Sequence, residues 1–166
     1  HLIDETLSAS WIESGQLAFE PVEFSPRKVV AEVGQLMGKA ARAKGLDWRI
    51  EAAEDAPDPL VGDPVRLAQA LLNYLDNAIK FTERGSVTLR SRVESAGPDA
   101  VQMRFEVADT GIGIDKADAA RLFNAFVQAY DSTTRRHGGM GIGLSNTRAL
   151  ARLMGGEAGV VSTPGV

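Results

Sequence analysis

Three side chains that can act on a phosphate group and its metal ion lie close together in the segment NYLDNAIK. Asn73 and Asn77 are four residues apart, and Lys80 follows three residues later. On a helix this spacing puts both amides on one side, with the ammonium group beside them. Amide oxygens can help to hold Mg²⁺, and a lysine neutralises phosphate charge. Two surface amides on an amphipathic helix would show the same spacing, so the pair is not decisive by itself.

A carboxylate followed by two glycines forms a second candidate site, in the segment DTGIG. Asp109 ends a predicted strand, and Gly111 and Gly113 follow it. A carboxylate accepts a hydrogen bond from an amine, so it would favour adenine over guanine, which has a carbonyl oxygen at that position. The glycines let a ligand approach the backbone because they carry no Cβ. A plain Asp-Gly turn is the alternative.

The glycine-rich segment GGMGIGL, residues 138–144, is the third candidate. It precedes a predicted helix, so its backbone N–H groups and the helix N-terminus can meet a phosphate chain. It has neither the Gly-Lys-Ser/Thr ending of a P-loop nor the third glycine of the dinucleotide fingerprint. A flexible hinge would explain the glycines, but not their position beside the basic stretch TTRRH.

Hydrophobic periodicity and turn residues predict the elements that must position these groups. Helices are predicted over 1–14, 27–43, 64–84, 116–123 and 142–154, and strands over 22–25, 46–52, 86–94, 100–109 and 158–162. Residues 54–62 are predicted to form a turn-rich loop, and residues 128–140 a mobile loop. The predicted buried stripe of the second helix is Val29, Val30, Val33, Leu36, Met37 and Ala40. The two central strands are joined by a short turn and must be antiparallel, which gives an α/β or α+β class: a mixed sheet with helices packed on one face.

The composition is that of one soluble globular domain of 166 residues. A net charge of −4 argues against general binding to nucleic acid. No apolar run approaches the roughly 20 residues that span a bilayer, and the absence of cysteine excludes disulfides and thiolate metal sites and suits a cytoplasmic setting. His1 and His137 have no carboxylates at metal-site spacing and are interpreted as solvated side chains.

Taken in order, the three segments closely resemble the catalytic and ATP-binding domain of bacterial sensor histidine kinases, part of the ATPase family that includes gyrase, Hsp90 and MutL. NYLDNAIKFTERG resembles the asparagine box, DTGIG the first glycine box, LFNAFVQ the phenylalanine box and GGMGIGLSNTRALARLMGG the second glycine box. STTRRHGG resembles the lid of hybrid kinases, which also carry a receiver domain. The resemblance implies a two-layer α/β sandwich, the Bergerat ATP-binding fold, that binds ATP and Mg²⁺.

The resemblance also implies a division of the chain and a role for each matched residue. Residues 1–20 would be the end of the dimerisation helix hairpin and a linker, and residues 21–166 the catalytic domain without its last strand. Asp109 would bind the adenine amine, Asn77 would coordinate Mg²⁺, and Asn73 and Lys80 would act near the ion and the phosphates. Arg135 or Arg136 would reach the terminal phosphate. The remaining residues that the resemblance assigns to the nucleotide pocket and its lid hinge are Gly111, Gly113, Phe126, Gly139, Gly141, Gly143 and Leu144.

The implied reaction is transfer of the γ-phosphoryl group of ATP to a histidine on the helix hairpin of the same protein, with a response regulator or receiver domain downstream. The parent protein would be a homodimer, and this domain would contact neither nucleic acid nor membrane. Neither His1 nor His137 lies in an acceptor motif, so the chain is expected to bind ATP without phosphorylating itself.

Two alternatives to the kinase interpretation remain open at this point. The first is an ATPase of the gyrase, Hsp90 and MutL type, in which a glutamate general base would stand at the position of Asn73. An amide cannot take that proton. The second is a degenerate regulatory module that binds nucleotide weakly, for which Met140, in place of the family's usual threonine, is the indication. Asn124 and Ala125 also depart from the usual Glu-Pro of the phenylalanine box.

Overall fold

The chain divides into two units, one of them Pro21–Gly111 and the other His1–Glu20 with Ile112–Val166. The computed structural model describes residues 20–115, 118–119 and 143–164. The first unit is therefore described throughout. The predicted helix over 1–14 and the predicted loop over 128–140 lie outside the described residues.

The first unit contains a mixed sheet and two long helices. Its elements are β1 Val22–Phe24, α1 Pro26–Ala43, β2 Asp47–Glu51, β3 Leu60–Gly62, α2 Pro64–Phe81, β4 Ser86–Ala96 and β5 Val101–Asp109. The three-stranded sheet has the order β2-β4-β5, in which β2 and β4 are parallel and β4 and β5 antiparallel. Helices α1 and α2 contact each other and the sheet. The predicted mixed sheet with packed helices is thus confirmed.

Helix α1 begins where the sequence predicts but buries a different stripe. Leu36 is 59% exposed and Ala40 is also exposed, so their predicted burial is wrong. The face toward β2 instead contains Gly34 and Gly38. The absence of a side chain at Gly34 leaves room for Ile50, and at Gly38 it leaves room for the ring of Trp48. A periodicity argument counts only apolar side chains, so it cannot recognise a contact face made of glycine. The buried residues of α1 are Pro26, Val29, Val30, Val33, Gly34, Gly38 and Ala41.

Helix α2 carries the two candidate amides and is well specified by its sequence. Asp63 caps its N-terminus by accepting a hydrogen bond from the Arg66 N–H at 3.0 Å, and Pro64 occupies the first helical position. Burial raises the pKa of the Tyr74 hydroxyl on the same helix. The buried residues of α2 are Leu67, Ala70, Leu71, Leu75, Ala78 and Ile79.

An exposed row of charged side chains crosses the sheet. The Arg90 guanidinium donates to Glu51 on β2 at 2.6 Å and to Glu106 on β5 at 3.1 Å. Both hydrogen bonds raise the pKa of Arg90, and the bond to Glu51 contributes more than the bond to Glu106. Arg104 on β5 donates to Glu94 on β4 at 3.0 Å. Because solvent screens such pairs, they set strand alignment more than stability.

One strand lies inside the segment predicted to be a loop. β3 pairs with β1 in an antiparallel ribbon in which Phe24 faces Leu60. The prolines at positions 57 and 59 mark this segment as turn chemistry, which hides a strand of only three residues. The strand forms because β1, 36 residues earlier at Phe24, supplies its hydrogen-bonding partner.

In the second unit, helix α3 runs over Gly143–Leu153 and confirms the helix predicted over 142–154. Residues 118 and 119 are helical, and Asp115 caps them by accepting the Asp118 N–H at 2.8 Å. The rest of the helix predicted over 116–123 lies outside the described residues. No helix among those described is both long and apolar enough to cross a membrane.

The predicted strand over residues 158–162 does not form. Val161 is 98% exposed, and no residue described in this unit pairs with the segment as a strand. Instead the Ser162 hydroxyl accepts a hydrogen bond from the Ile114 N–H at 2.8 Å. A side-chain contact of this kind competes with a strand ladder for the same backbone group.

Alanine at the two buried glycines of α1 should change the free energy of unfolding by different amounts, because the neighbours of the two glycines differ in flexibility. A Cβ at Gly34 would meet the flexible end of the Ile50 side chain, which can rotate away. A Cβ at Gly38 would lie 2.7 Å from Nε1 of the rigid Trp48 ring. Both substitutions favour the helix, so we expect Gly38→Ala to be less stable than Gly34→Ala by about 1 kcal/mol. Urea denaturation of both variants measures this difference, and equal free energies of unfolding would contradict it.

Candidate functional site

Within the described part of the chain, the carboxylate of Asp109, the last residue of β5, accepts hydrogen bonds through one of its oxygens. The Gly111 N–H donates to Oδ1 at 2.9 Å, and the Thr82 hydroxyl donates to the same oxygen at 3.5 Å. Among the described residues, no donor is hydrogen-bonded to Oδ2. Because Asp109 is exposed, Oδ2 can accept a hydrogen bond from a ligand.

The turn after Asp109 has no room for a side chain at Gly111. A Cβ there would lie 2.7 Å from the carbonyl oxygen of Phe81, 2.8 Å from Oδ1 of Asp109 and 3.0 Å from Oγ1 of Thr82. The glycine therefore lets the turn press against the end of α2. This close approach fixes where the Gly111 N–H meets the carboxylate.

Two threonines hold this region, and the sequence analysis did not single them out. Thr82 directly follows α2 and is fully buried. Thr110 joins the end of β5 to the start of β4, since its hydroxyl accepts the Ser86 N–H at 2.9 Å and its own N–H donates to the Ser86 carbonyl at 3.1 Å. Their positions beside NYLDNAIK and inside DTGIG were the only signal available.

The C-terminal half of α2 presents Asn73, Asn77 and Lys80 at helical spacing. All three are half-buried, whereas Asp76 between them is exposed. The Cβ atoms of residues four apart on a helix are about 6 Å apart, so one ligand can contact both amides. The ammonium group of Lys80 lies 5.2 Å from the centroid of the Phe81 ring, a cation–π distance that keeps its charge at the helix end.

The second unit contains the other half of the DTGIG segment. Gly113 has a φ of +68°, and a Cβ there would lie 2.8 Å from Cα of Pro164. With the hydrogen bond between Ile114 and Ser162, this contact packs the segment onto residues 162–164. Gly143 is the first residue of α3, and Leu144 follows it as a half-buried residue.

Several predicted site residues lie outside the described part of the chain, and their roles stay predictions. They are Phe126, Arg135, Arg136, Gly139 and Gly141, together with the unusual residues Asn124, Ala125 and Met140. The described residues contain no group of three or more His, Cys, Asp or Glu side chains that could hold a metal ion.

A comparison with protein families shows which family contains this candidate site. The sequence profile described as "Histidine kinase-, DNA gyrase B-, and HSP90-like ATPase" matches residues 62–166. The chain belongs to this family. The matched range contains all three candidate segments, from NYLDNAIK to GGMGIGL.

Within the family, the chain is similar to sensor histidine kinases. It is 43% identical over 164 residues to the sensor histidine kinase GacS of Pseudomonas protegens, covering 99% of this chain and 18% of GacS. It is 40% identical over 163 residues to the histidine-protein kinase BarA of Escherichia coli K12, covering 98% of this chain and 18% of BarA. The chain thus spans less than a fifth of the length of these relatives.

Solved structures give the same result. Full-length ShkA in complex with AMPPNP matches with a TM-score of 0.83 and 32% identity, over 99% of this chain and 33% of ShkA. The catalytic domain of the histidine kinase ThkA matches with a TM-score of 0.66 and 26% identity, over 83% of this chain and 82% of that domain. The chain is therefore homologous to the ATP-binding catalytic domain of histidine kinases, which supports the kinase interpretation over the hydrolase alternative.

Alanine at Gly111 should damage the kinase-type site while leaving the sheet in place. The added Cβ overlaps the Phe81 carbonyl and Oδ1 of Asp109, so the carboxylate must move. We expect the affinity for Mg-ADP, measured by calorimetry, to fall about tenfold or more. Gly97→Ala is the matched control, because a Cβ in that turn meets only an ordinary contact at 3.5 Å. Unchanged affinity in Gly111→Ala would contradict this account of the turn.

Proposed function

We propose that this chain binds Mg-ATP and donates the γ-phosphoryl group to a histidine on a helix hairpin of its parent kinase. In this reaction the bond from the γ-phosphorus to the β-γ bridging oxygen breaks as a bond to the imidazole nitrogen forms, and ADP leaves. Such a transfer needs little covalent work from the protein, so positioning and charge neutralisation supply most of the rate.

The Asp109 carboxylate is the observation that carries this proposal. Its Oδ1 accepts from two donors of the protein, and no donor among the described residues binds Oδ2, which can therefore accept from a ligand. A carboxylate acts as an acceptor only, so it suits the exocyclic amine of adenine and repels the carbonyl oxygen of guanine. The hydroxyl of the buried Thr82 helps to fix the orientation of this carboxylate.

In this proposal, side chains of α2 bind the phosphate end of the nucleotide. Asn77 supplies a neutral amide oxygen to Mg²⁺, which suits an ion that takes few protein ligands and keeps phosphate and water oxygens. When bound, the ion offsets the negative charge of the phosphates. Lys80 adds a second positive charge, and Asn73 orients the phosphates without acting as a base, because an amide cannot accept a proton. Arg135 or Arg136 contacts the terminal phosphate, and Gly139, Gly141 and Gly143 shape the pocket walls and the lid hinge.

The remaining assignments concern the parent protein. Residues 1–20 belong to its dimerisation hairpin and a linker, and residues 21–166 belong to the catalytic domain. The parent is a homodimeric hybrid kinase that passes the phosphoryl group to a receiver domain or response regulator. The catalytic domain works in the cytoplasm, where ATP is present, and contacts neither membrane nor nucleic acid.

Two substitutions should separate the contribution of the adenine base to nucleotide affinity from the contribution of Mg²⁺. Asp109→Asn places an amide where the adenine amine needs an acceptor, so the affinity for Mg-ADP should fall between about tenfold and a hundredfold. Asn77→Ala should instead remove most of the difference between titrations with and without Mg²⁺. Both are measured by calorimetry.

Asp99→Asn, in the exposed turn between β4 and β5, is the matched control and should bind like the unmodified chain. Equal ADP affinity in Asp109→Asn and the unmodified chain would overturn the assignment of the adenine site. No detectable ADP binding by the unmodified chain would favour the degenerate regulatory module instead.

The chain should not phosphorylate itself. His1 and His137 are its two histidines, and neither lies in a motif that resembles the family's phosphoacceptor. After incubation with γ-labelled ATP, we expect no acid-labile label on the protein and slow release of free phosphate. Acid-labile label on the chain would contradict the acceptor assignment, and rapid phosphate release would restore the hydrolase alternative.

A further inference from the structure

We propose that Lys44 is a positioning residue for adenine recognition, although it lies outside all the sequence motifs of the site. Its ammonium group holds the C-terminal end of α2, against which the Asp109 carboxylate is set. The inference rests on the proposed role of Asp109 as the adenine acceptor. It adds a residue from the turn between α1 and β2 to the determinants of base selectivity.

The carbonyl groups at the end of α2 reveal this role. A helix leaves its last four carbonyls without partners inside the helix. The first of them, Ala78, accepts the Thr82 N–H at 3.1 Å. The next two, Ile79 and Lys80, both accept hydrogen bonds from Nζ of Lys44, the latter at 2.9 Å. A lysine at this place also opposes the negative end of the helix dipole.

The last of these carbonyls connects the helix end to the candidate site. The carbonyl oxygen of Phe81 lies against Gly111, where an added Cβ would be 2.7 Å from it. The next residue, Thr82, donates its hydroxyl to Oδ1 of Asp109. The turn formed by residues 79–82 therefore lies between Lys44 on one side and the Asp109–Gly111 turn on the other.

The backbone that carries Lys44 is itself held in place. Its N–H donates to the carbonyls of Ala40 and Ala41 at the end of α1, both at 3.1 Å. Gly45 follows with a φ of +79°, which turns the chain, and the buried Leu46 anchors it. The ammonium group is thus a donor delivered from a fixed point.

Removal of this donor should affect one step of recognition more than the fold. Without Lys44 the carbonyls of Ile79 and Lys80 can turn toward water, because this end of the helix is partly exposed. The last turn then loses its fixed position, and the Thr82 hydroxyl no longer restrains Oδ1 of Asp109. The carboxylate would lose its preferred direction, so adenine would lose its advantage over a base that lacks the amine.

The test compares two diphosphates that differ at the base, ADP and inosine diphosphate. The second has a carbonyl oxygen in place of the adenine amine, so it cannot use the Asp109 acceptor. Both affinities are measured by displacement of a fluorescent ATP analogue. In Lys44→Met we expect ADP affinity to fall about tenfold, with the affinity for inosine diphosphate changed less than about twofold.

Two matched variants accompany this measurement. Lys44→Arg keeps a cation with several donors and should restore most of the ADP preference. Lys39→Met removes an exposed lysine of α1, the helix that precedes Lys44, and should leave both affinities unchanged. An equal loss of both affinities in Lys44→Met would assign it a structural role only, and no loss of either would also overturn the inference.

A double variant separates this inference from the proposed function. In an Asp109→Asn background, Lys44→Met should have no further effect on ADP affinity, because the residue acts through that carboxylate. A full additional loss would show that Lys44 works by another route. If Asp109→Asn itself binds ADP normally, the adenine site is wrong. If it loses binding while Lys44→Met does not, only the role of Lys44 is wrong.

Discussion

The carbonyl groups at the C-terminal end of α2 are the constraint on which the candidate site depends. A helix that ends inside a folded unit needs donors for these groups from outside the helix, and here the carbonyls of Ile79 and Lys80 receive theirs from a residue distant in sequence. Lys44 supplies two of the hydrogen bonds from the end of α1, and Gly111 packs on the last carbonyl from the end of β5. Helix, turn and strand are therefore fixed by one another at the place where Lys80 and Asp109 lie.

The two oxygens of the Asp109 carboxylate have different roles. The protein binds Oδ1, and Oδ2 is the proposed contact for a ligand. The protein satisfies Oδ1 with a backbone N–H and a buried hydroxyl, which sets the plane of the group. The remaining oxygen keeps its capacity for one external donor. In the proposed site, specificity for adenine depends on the orientation of this carboxylate more than on the number of contacts.

The sequence predicts what is local and misses what is distant. Asp63 and Pro64 mark the start of α2, and the strand pattern ending at Asp109 places the carboxylate correctly. By contrast, the contact between Lys44 and the carbonyl of Ile79 joins residues 35 positions apart, and no local pattern contains it. The short strand β3 is missed for the same reason, since its partner β1 lies far earlier in the chain. Glycines as a packing face are missed because periodicity counts side chains.

The position of Asp109 within the sheet has a consequence for local opening. Asp109 is aligned with Val87 at the start of the buried central strand β4, and the ladder continues from there to Val101. Its backbone cannot be displaced without breaking hydrogen bonds of that strand pair. Segments of a protein open with very different free energies, and central strands are among the last to do so. Because Asp109 is paired with β4, we expect its backbone to open less readily than the three-residue ribbon of β1 and β3, so the carboxylate keeps its direction while that ribbon opens.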